Sequence, residues 1–201
     1  RSTLFPYTTL FRSQKCIEAD LAVYGYTPAE SSVLQKLYED IAAVQDIVGE
    51  SMPLVVSISI PVANILNNSE KLSRRLDVTT FAQGEVKLQI KSLDGIYPLR
   101  RVPSARMKTQ YLFKDGRTAG QEKGGFTATD DAQDINWIIT PQKAPIAISK
   151  TDKMRIFSPE VNQKARAWAW DYRKYHDLWI TAEKLKTCRV NIQQAKPAGG
   201  A

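Results

Sequence analysis

Apolar residues recur at Val33, Leu37, Ile41, Val44 and Val48, a three-and-four spacing that draws one stripe along a helix and predicts that the stripe packs on a core. Thr27-Pro28-Ala29-Glu30 marks the start. Thr27 is a capping residue, Pro28 takes the first helical position where its missing donor costs nothing, and Glu30 completes a capping box. Gly49 supplies the stop, so the pattern predicts a helix over 28–48. Residues 53–59, with Leu54-Val55-Val56 and Ile58, form a short β-branched run and predict a buried strand. Residues 61–67 predict a short helix with Val62, Ile65 and Leu66 inward.

After a polar stretch containing Arg74-Arg75, strand-like runs at 86–92 and 96–103 flank Asp94-Gly95, a strong hairpin signal. Residues 114–134 carry Gly116, Gly120, Gly124-Gly125 and Asp130-Asp131 with few apolar anchors, and predict a long loop. Strands are expected at 135–140, 145–149 and 154–157, and a long bent strand at 165–180. Within the last, Trp168, Trp170 and Tyr172 alternate on one face, and a bulge near Arg173-Lys174 would return Tyr175, Asp177 and Trp179 to the same side. A final strand is expected within 185–193 and a frayed tail from Lys196.

Composition narrows the class. A chain of 201 residues that is 43% apolar can bury one or two modest cores. No run reaches the roughly 18 consecutive apolar residues of a membrane-spanning helix, so a membrane role is not expected. Cys16 and Cys188 lie far apart, without metal-ligand spacing, and read as ordinary partly buried thiols of a reducing cytoplasm.

The formal charge of +7 is unevenly placed. Residues 14–70 carry two basic and eight acidic side chains, whereas 71–123 carry twelve basic and five acidic. Such segregation suits contacts between unlike surfaces of neighbouring copies or contact with nucleic acid, and it also suits a solvated face with local ion pairs.

Enzyme readings fail on inventory. The chain has one histidine, His176, no G-x-S-x-G nucleophile pattern, and a Gly-rich segment at 116–125 without the G-K-[ST] ending of a phosphate loop. Asp130, Asp131 and Asp134 lack the spacing, glycine and terminal glutamate of a calcium loop and read as a solvated acidic turn. No catalytic residue, cofactor or metal site is expected. Trp168, Trp170, Tyr172, Tyr175 and Trp179 read first as core or interface filling and second as a stacking platform.

The first thirteen residues, RSTLFPYTTLFRS, resemble the translation of a common sequencing adapter. Natural sequence is therefore expected from Gln14, with whatever preceded it missing.

Four stretches carry a wider resemblance: VPSARMKTQYLF at 102–113, GQEKGGF at 120–126, DINWIITPQKAPIAISK at 134–150 and MRIFSPEVNQKARAWAWDYRKYHDLW at 154–179. In this order, with the helix 28–48, the strand 54–59 and the short helix 61–67 upstream, they resemble the C-terminal half of tailed-phage major capsid proteins. The resemblance covers about residues 17–194. It implies an α+β fold of the tailed-phage capsid type, truncated before the N-terminal arm, the extended loop and the spine helix. Residues 14–133 would be mainly axial domain, 134–194 peripheral-domain strands and 195–201 a disordered tail. One departure is local: Ile60-Pro61 stands where the family usually has Ser-Pro, leaving a poorer cap.

What the resemblance implies about function is a structural subunit of an icosahedral phage head, assembled in the host bacterial cytoplasm and residing in the virion. Its partners would be other copies of itself in pentamers and hexamers, packaged double-stranded DNA bound without sequence preference, and scaffold and portal proteins. Candidate inter-subunit or DNA-facing residues are Arg74, Arg75, Arg100, Arg101, Lys114 and Arg117. Candidate peripheral-domain core or interface residues are Trp168, Trp170, Tyr172, Tyr175 and Trp179. The alternatives are a nanocompartment shell protein of the same fold and a free-standing nucleic-acid-binding module.

Overall fold

The computed structural model describes residues 13–69, 76–83, 86–162 and 165–196, with side chains throughout except at 76–91 and 176. Arg74, Arg75, the His176 side chain and residues 1–12 of the adapter-like segment lie outside the described residues. The architecture is α+β. Two units are separable: residues 1–144 with 182–201, and residues 145–181.

In the first unit, α1 covers residues 13–18, β1 is Ala22–Val23 and α2 is Val33–Val48. Then follow β2 Leu54–Ser59, α3 Ile60–Asn68, β3 Leu76–Gln83, β4 Val86–Leu93 and β5 Tyr97–Val102. The hairpin strands β6 Tyr111–Lys114 and β7 Gly125–Ala128 precede β8 Ile135–Pro141. The second unit is β9 Ile146–Phe157 with β10 Ala169–Trp179. The chain returns to the first unit with α4 Ala182–Leu185 and β11 Arg189–Ile192.

Seven strands form one mixed sheet in the order β1-β11-β8-β2-β5-β4-β3. β2 lies between a parallel neighbour, β5, and an antiparallel one, β8. Every residue of β2 and β8 is buried, as the β-branched run at 53–59 implies for a strand covered on both faces. Because β8 and β11 share this sheet with β2 and β5, the division of the chain falls at residues 144/145 and 181/182 and not at Asp134.

The apolar stripe of α2 behaves as its spacing predicts: Val33, Leu37, Ile41 and Val44 are buried and join Val62 and Leu66 of α3, Val56 and Ile58 of β2, and Trp137 and Ile139 of β8 in one core. Full burial of each large apolar side chain is worth about 1.5–3 kcal/mol. The start of α2 differs from the sequence expectation. The helix begins at Val33 after a turn in which the Ser32 and Val33 amides donate to the Ala29 carbonyl. Ser32 occupies the cap position without capping, because its hydroxyl is hydrogen-bonded to the Tyr26 hydroxyl at 3.0 Å. The end agrees: Gly49 follows with φ +80°.

Asp94-Gly95 makes the expected tight turn, both residues at positive φ (55° and 69°), with the Ile96 amide donating to the Leu93 carbonyl. That geometry is the hairpin type whose twist matches its strands. The pattern gave no sign of β3, which pairs with β4 along its whole length.

The loop expected at 114–134 is largely a hairpin, since β6 pairs with β7 from Tyr111↔Ala128 to Lys114↔Gly125. Side chains build its turn. Asp115 accepts hydrogen bonds from the Arg117 amide and from the Thr118 amide and hydroxyl. Those donors hold its carboxyl below the usual range, the Thr118 amide contributing most. Gly116 and Gly124, both at positive φ, pass so closely that a Cβ on Gly116 would touch the Gly124 backbone at 3.7 Å. Asp134 is ion-paired with Lys108 at 2.7 Å.

The most constrained polar group is Asp40, which interrupts the apolar stripe of α2 and is 1% exposed. Its carboxylate accepts from Trp137 Nε1 (3.0 Å), Asn191 Nδ2 (2.9 Å) and Arg189 Nε (3.1 Å). Asn136 extends the network by donating to Asn191 Oδ1 and to the Tyr26 carbonyl. The β8–β11 register shifts between Asn191 and Ile192, so Asn136 stands without a directly paired residue and turns toward Asn191.

Replacing one member of such a network strands the others in a low-dielectric interior, which costs about 3–5 kcal/mol. Asp40→Ala should therefore lower unfolding stability by about 3 kcal/mol, whereas Glu39→Gln on the exposed side of the same turn should change it by less than about 0.5 kcal/mol. Urea denaturation of both variants checks this, and a loss below about 1 kcal/mol for Asp40→Ala would show the carboxylate to be dispensable.

Candidate assembly surfaces

On β9 the apolar residues Ile146, Ile148, Met154 and Ile156 all occupy even positions, whereas on β10 the parity changes between Trp170, Tyr172 and Tyr175, Trp179. A regular pairing would leave half of them without apolar partners across the strand. The register resolves this: Tyr175 pairs with Thr151 and His176 with Ser149, so Lys150 is an extra residue on β9. This bulge turns the outer half of β9 over relative to its inner half.

The consequence is two apolar patches on opposite faces of one ribbon. Toward its outer end Trp170 pairs with Ile156 and Tyr172 with Met154. Toward its base, on the other face, Trp179 pairs with Ile146 and Asp177 with Ile148, next to Tyr175. The expected bulge near Arg173-Lys174 is thus corrected. It lies on the partner strand, and Tyr175, Asp177 and Trp179 face away from Trp170 and Tyr172.

None of these aromatics is core in this chain. Trp168, Trp170, Tyr172, Tyr175 and Trp179 are between 50% and 74% exposed, and their aliphatic partners between 40% and 63%. By contrast Trp137 is fully buried. An uncovered two-stranded ribbon is at best marginally stable, and a contiguous apolar surface of this kind marks an interaction site. Polar contacts stiffen it: Asp177 accepts from Trp179 Nε1 at 2.7 Å, and Lys174 lies 3.5 Å from Asp152. A hydrogen bond to Asp152 raises the pKa of the Tyr172 hydroxyl.

Among the described basic candidates, Arg100 and Arg101 do not share a face. Arg100 pairs with Ser57 and Arg101 with Ile58, so the two project from opposite faces of β5. Arg101 is exposed, while Arg100 is half-buried, its pKa lowered by that burial. Lys114 ends β6 and Arg117 sits in the turn beyond it. That hairpin also exposes Leu112, Phe113 and Phe126, with the two phenyl rings 5.2 Å apart. Adjacent arginines read as one patch in a sequence, but in an extended strand they diverge.

Two features escaped the sequence reading. The four aliphatic partners on β9 carried a signal in their even spacing, which identifies a face without saying that a bulge splits it. The Asp40 network carried another, a lone acid inside an apolar stripe. Among the described residues no three His, Cys, Asp or Glu side chains gather as metal ligands. Among them, too, no helix is long and apolar enough to cross a membrane. Cys16 and Cys188 are both buried and unbridged.

No family model matches the chain, and no curated protein matches it in sequence. Among solved structures, the fold resembles that of a chain from Mycobacterium phage Che8, with a TM-score of 0.52 at 11% identity. The match covers 94% of this chain and 59% of that one, so this chain spans well under two thirds of its neighbour's length, and at this identity the likeness is one of fold.

Proposed function

We propose that the chain is a structural subunit of a tailed-phage head, which tiles against copies of itself in pentamers and hexamers to enclose double-stranded DNA. The observation that carries this reading is the β9–β10 ribbon, which presents large, exposed apolar side chains on both faces. A subunit that acts through repeated contacts distributes its function over interface area. The fold likeness to a phage chain over nearly all of the sequence supports the same reading, as does the segregation of acidic residues before position 70 from basic ones after it. Residence in the virion and contact with scaffold and portal proteins belong to this proposal. A nanocompartment shell of the same fold is distinguished by its content, a cargo protein in place of DNA.

One observation favours a second reading, a nucleic-acid-binding module: exposed Tyr175 and Trp179 share one ribbon face with Arg173 and Lys153. A gel shift separates the two, since a module binds DNA tightly and with steep salt dependence, whereas a shell subunit binds weakly.

Expression of the full-length protein should yield closed particles in negative-stain electron microscopy, and a preparation that stays monomeric at all concentrations would overturn the proposal. Assembly should weaken as salt rises from about 0.1 M to 1 M, because screening shortens from about 10 Å to about 3 Å and attenuates contacts between exposed charges. Indifference to salt would remove the electrostatic part. Acrylamide should quench Trp168, Trp170 and Trp179 fluorescence in dissociated subunits and much less in particles, and equal quenching in both states would place these rings outside the contacts.

A further inference from the structure

One face of the ribbon carries an excess of cations without ion-pair partners among the described residues. Arg173 lies directly across from Lys153, and Asp171 across from Arg155. Like charges opposed across strands are unfavourable, and among the described residues neither Lys153 nor Arg173 has an ion-pair partner. Beyond this pair, Ile148, Tyr175, Asp177 and Trp179 of the same face, together with Lys150 at the bulge and Lys174 from the neighbouring position, line an open groove of about 360 Å³. Asp177 is engaged by Trp179 and by the Leu178 amide, so its carboxylate is occupied. What this face lacks is an acidic partner with a protruding apolar side chain.

The C-terminal end of α2 has the opposite deficiency. The carbonyl end of a helix favours cations, yet the last turn of this 16-residue helix carries no basic side chain. It carries Asp46 instead, with Glu50 just beyond Gly49, both exposed. Neither has an ion-pair partner among the described residues. Between them Ile47 stands 59% exposed, with Met52 (42%) close by in sequence.

We propose that the α2 C-terminal patch of one copy seats on this ribbon face of a second copy, with Ile47 in the groove beside Tyr175 and Trp179 and the carboxylates of Asp46 and Glu50 compensating Lys153 and Arg173. The occupant is another copy because the two surfaces complement each other in sign and in shape: on the ribbon face Lys153, Arg155 and Arg173 outnumber Asp171 beside an apolar recess, whereas the α2 patch sets Asp46 and Glu50 around the Ile47 knob. The opposite ribbon face, with Trp170 and Met154, has no comparable charge signature and names no occupant. The interface deepens the shell reading and rests on it.

Charge exchange tests the pairing in the full-length protein. Lys153→Glu with Arg173→Glu, and separately Asp46→Lys with Glu50→Lys, should each raise the concentration for half-association in sedimentation velocity by about tenfold or more. All four changes together should restore it to within about threefold of the original. All seven positions involved in charge or packing are exposed, and circular dichroism confirms that each variant is folded. Association unaffected by either reversal, or reversal without rescue in the combined variant, overturns the interface. If reversal at 153 and 173 leaves association intact and abolishes only DNA retention, the face belongs to nucleic acid and the proposal is equally overturned. Electron microscopy of the same samples keeps the two readings apart: closed particles with harmless reversals sink the interface alone, whereas charge-rescued association that never closes sustains the interface and sinks the shell. A chain that never associates sinks both.

Discussion

A carboxylate with almost no access to water must be matched by donors, and in this protein that requirement ties three elements together that the chain itself keeps far apart. Asp40 belongs to α2, while its donors Trp137, Arg189 and Asn191 stand 97, 149 and 151 residues further along. Leucine-like side chains at the same place would tolerate sliding of the helix on the sheet. A charge with three directional donors does not, because any displacement leaves a buried group unpaired. The seven-stranded sheet places β8 and β11 side by side, and the bulge at Asn136 brings one more amide into the network. The position of α2 over the core, and with it the site where α2 ends, follows from this constraint.

Against that fixed unit, residues 145–181 spend their sequence differently. A twelve-residue strand and an eleven-residue strand pair along their length, and most of their large side chains stay in solvent. Water-exposed tryptophan is a poor use of a residue in a free monomer. It is a sensible one in a protein whose working state is covered by neighbours, since aromatic side chains dominate the energetics of contacts that exclude water. The single-residue bulge at Lys150 gives the ribbon two differently directed apolar faces, so one simple element can meet two surfaces.

How much of this was legible depended on the range of the interaction. The stripe Val33, Leu37, Ile41, Val44 is periodic over a few residues and fixed the buried side of α2 correctly. The start of the helix moved to Val33 because Tyr26 claims the Ser32 hydroxyl, a contact that capping rules do not anticipate. Asp94-Gly95 formed its turn because both residues tolerate positive φ locally. Strand order, by contrast, is set by pairings between segments such as β2 and β8, which local pattern does not encode. Alternation on β10 put Trp170 and Tyr172 together, but the bulge lies on β9 and leaves Tyr175, Asp177 and Trp179 on the other face. The pattern was silent on whether either face is covered, and Trp170 and Trp179, read as core or interface, are both exposed. Of the basic candidates, Arg100 and Arg101 are adjacent in sequence, and an extended backbone sends such neighbours to opposite sides.

The proposed role of the exposed ribbon is that of an interface with other copies. A cryo-electron-microscopy reconstruction of particles assembled from the full-length protein tests it most directly. The account predicts density from neighbouring copies against both ribbon faces, over Trp170 and Tyr172 on one side and over Tyr175 and Trp179 on the other. A closed particle in which both faces remain bathed in solvent would contradict it.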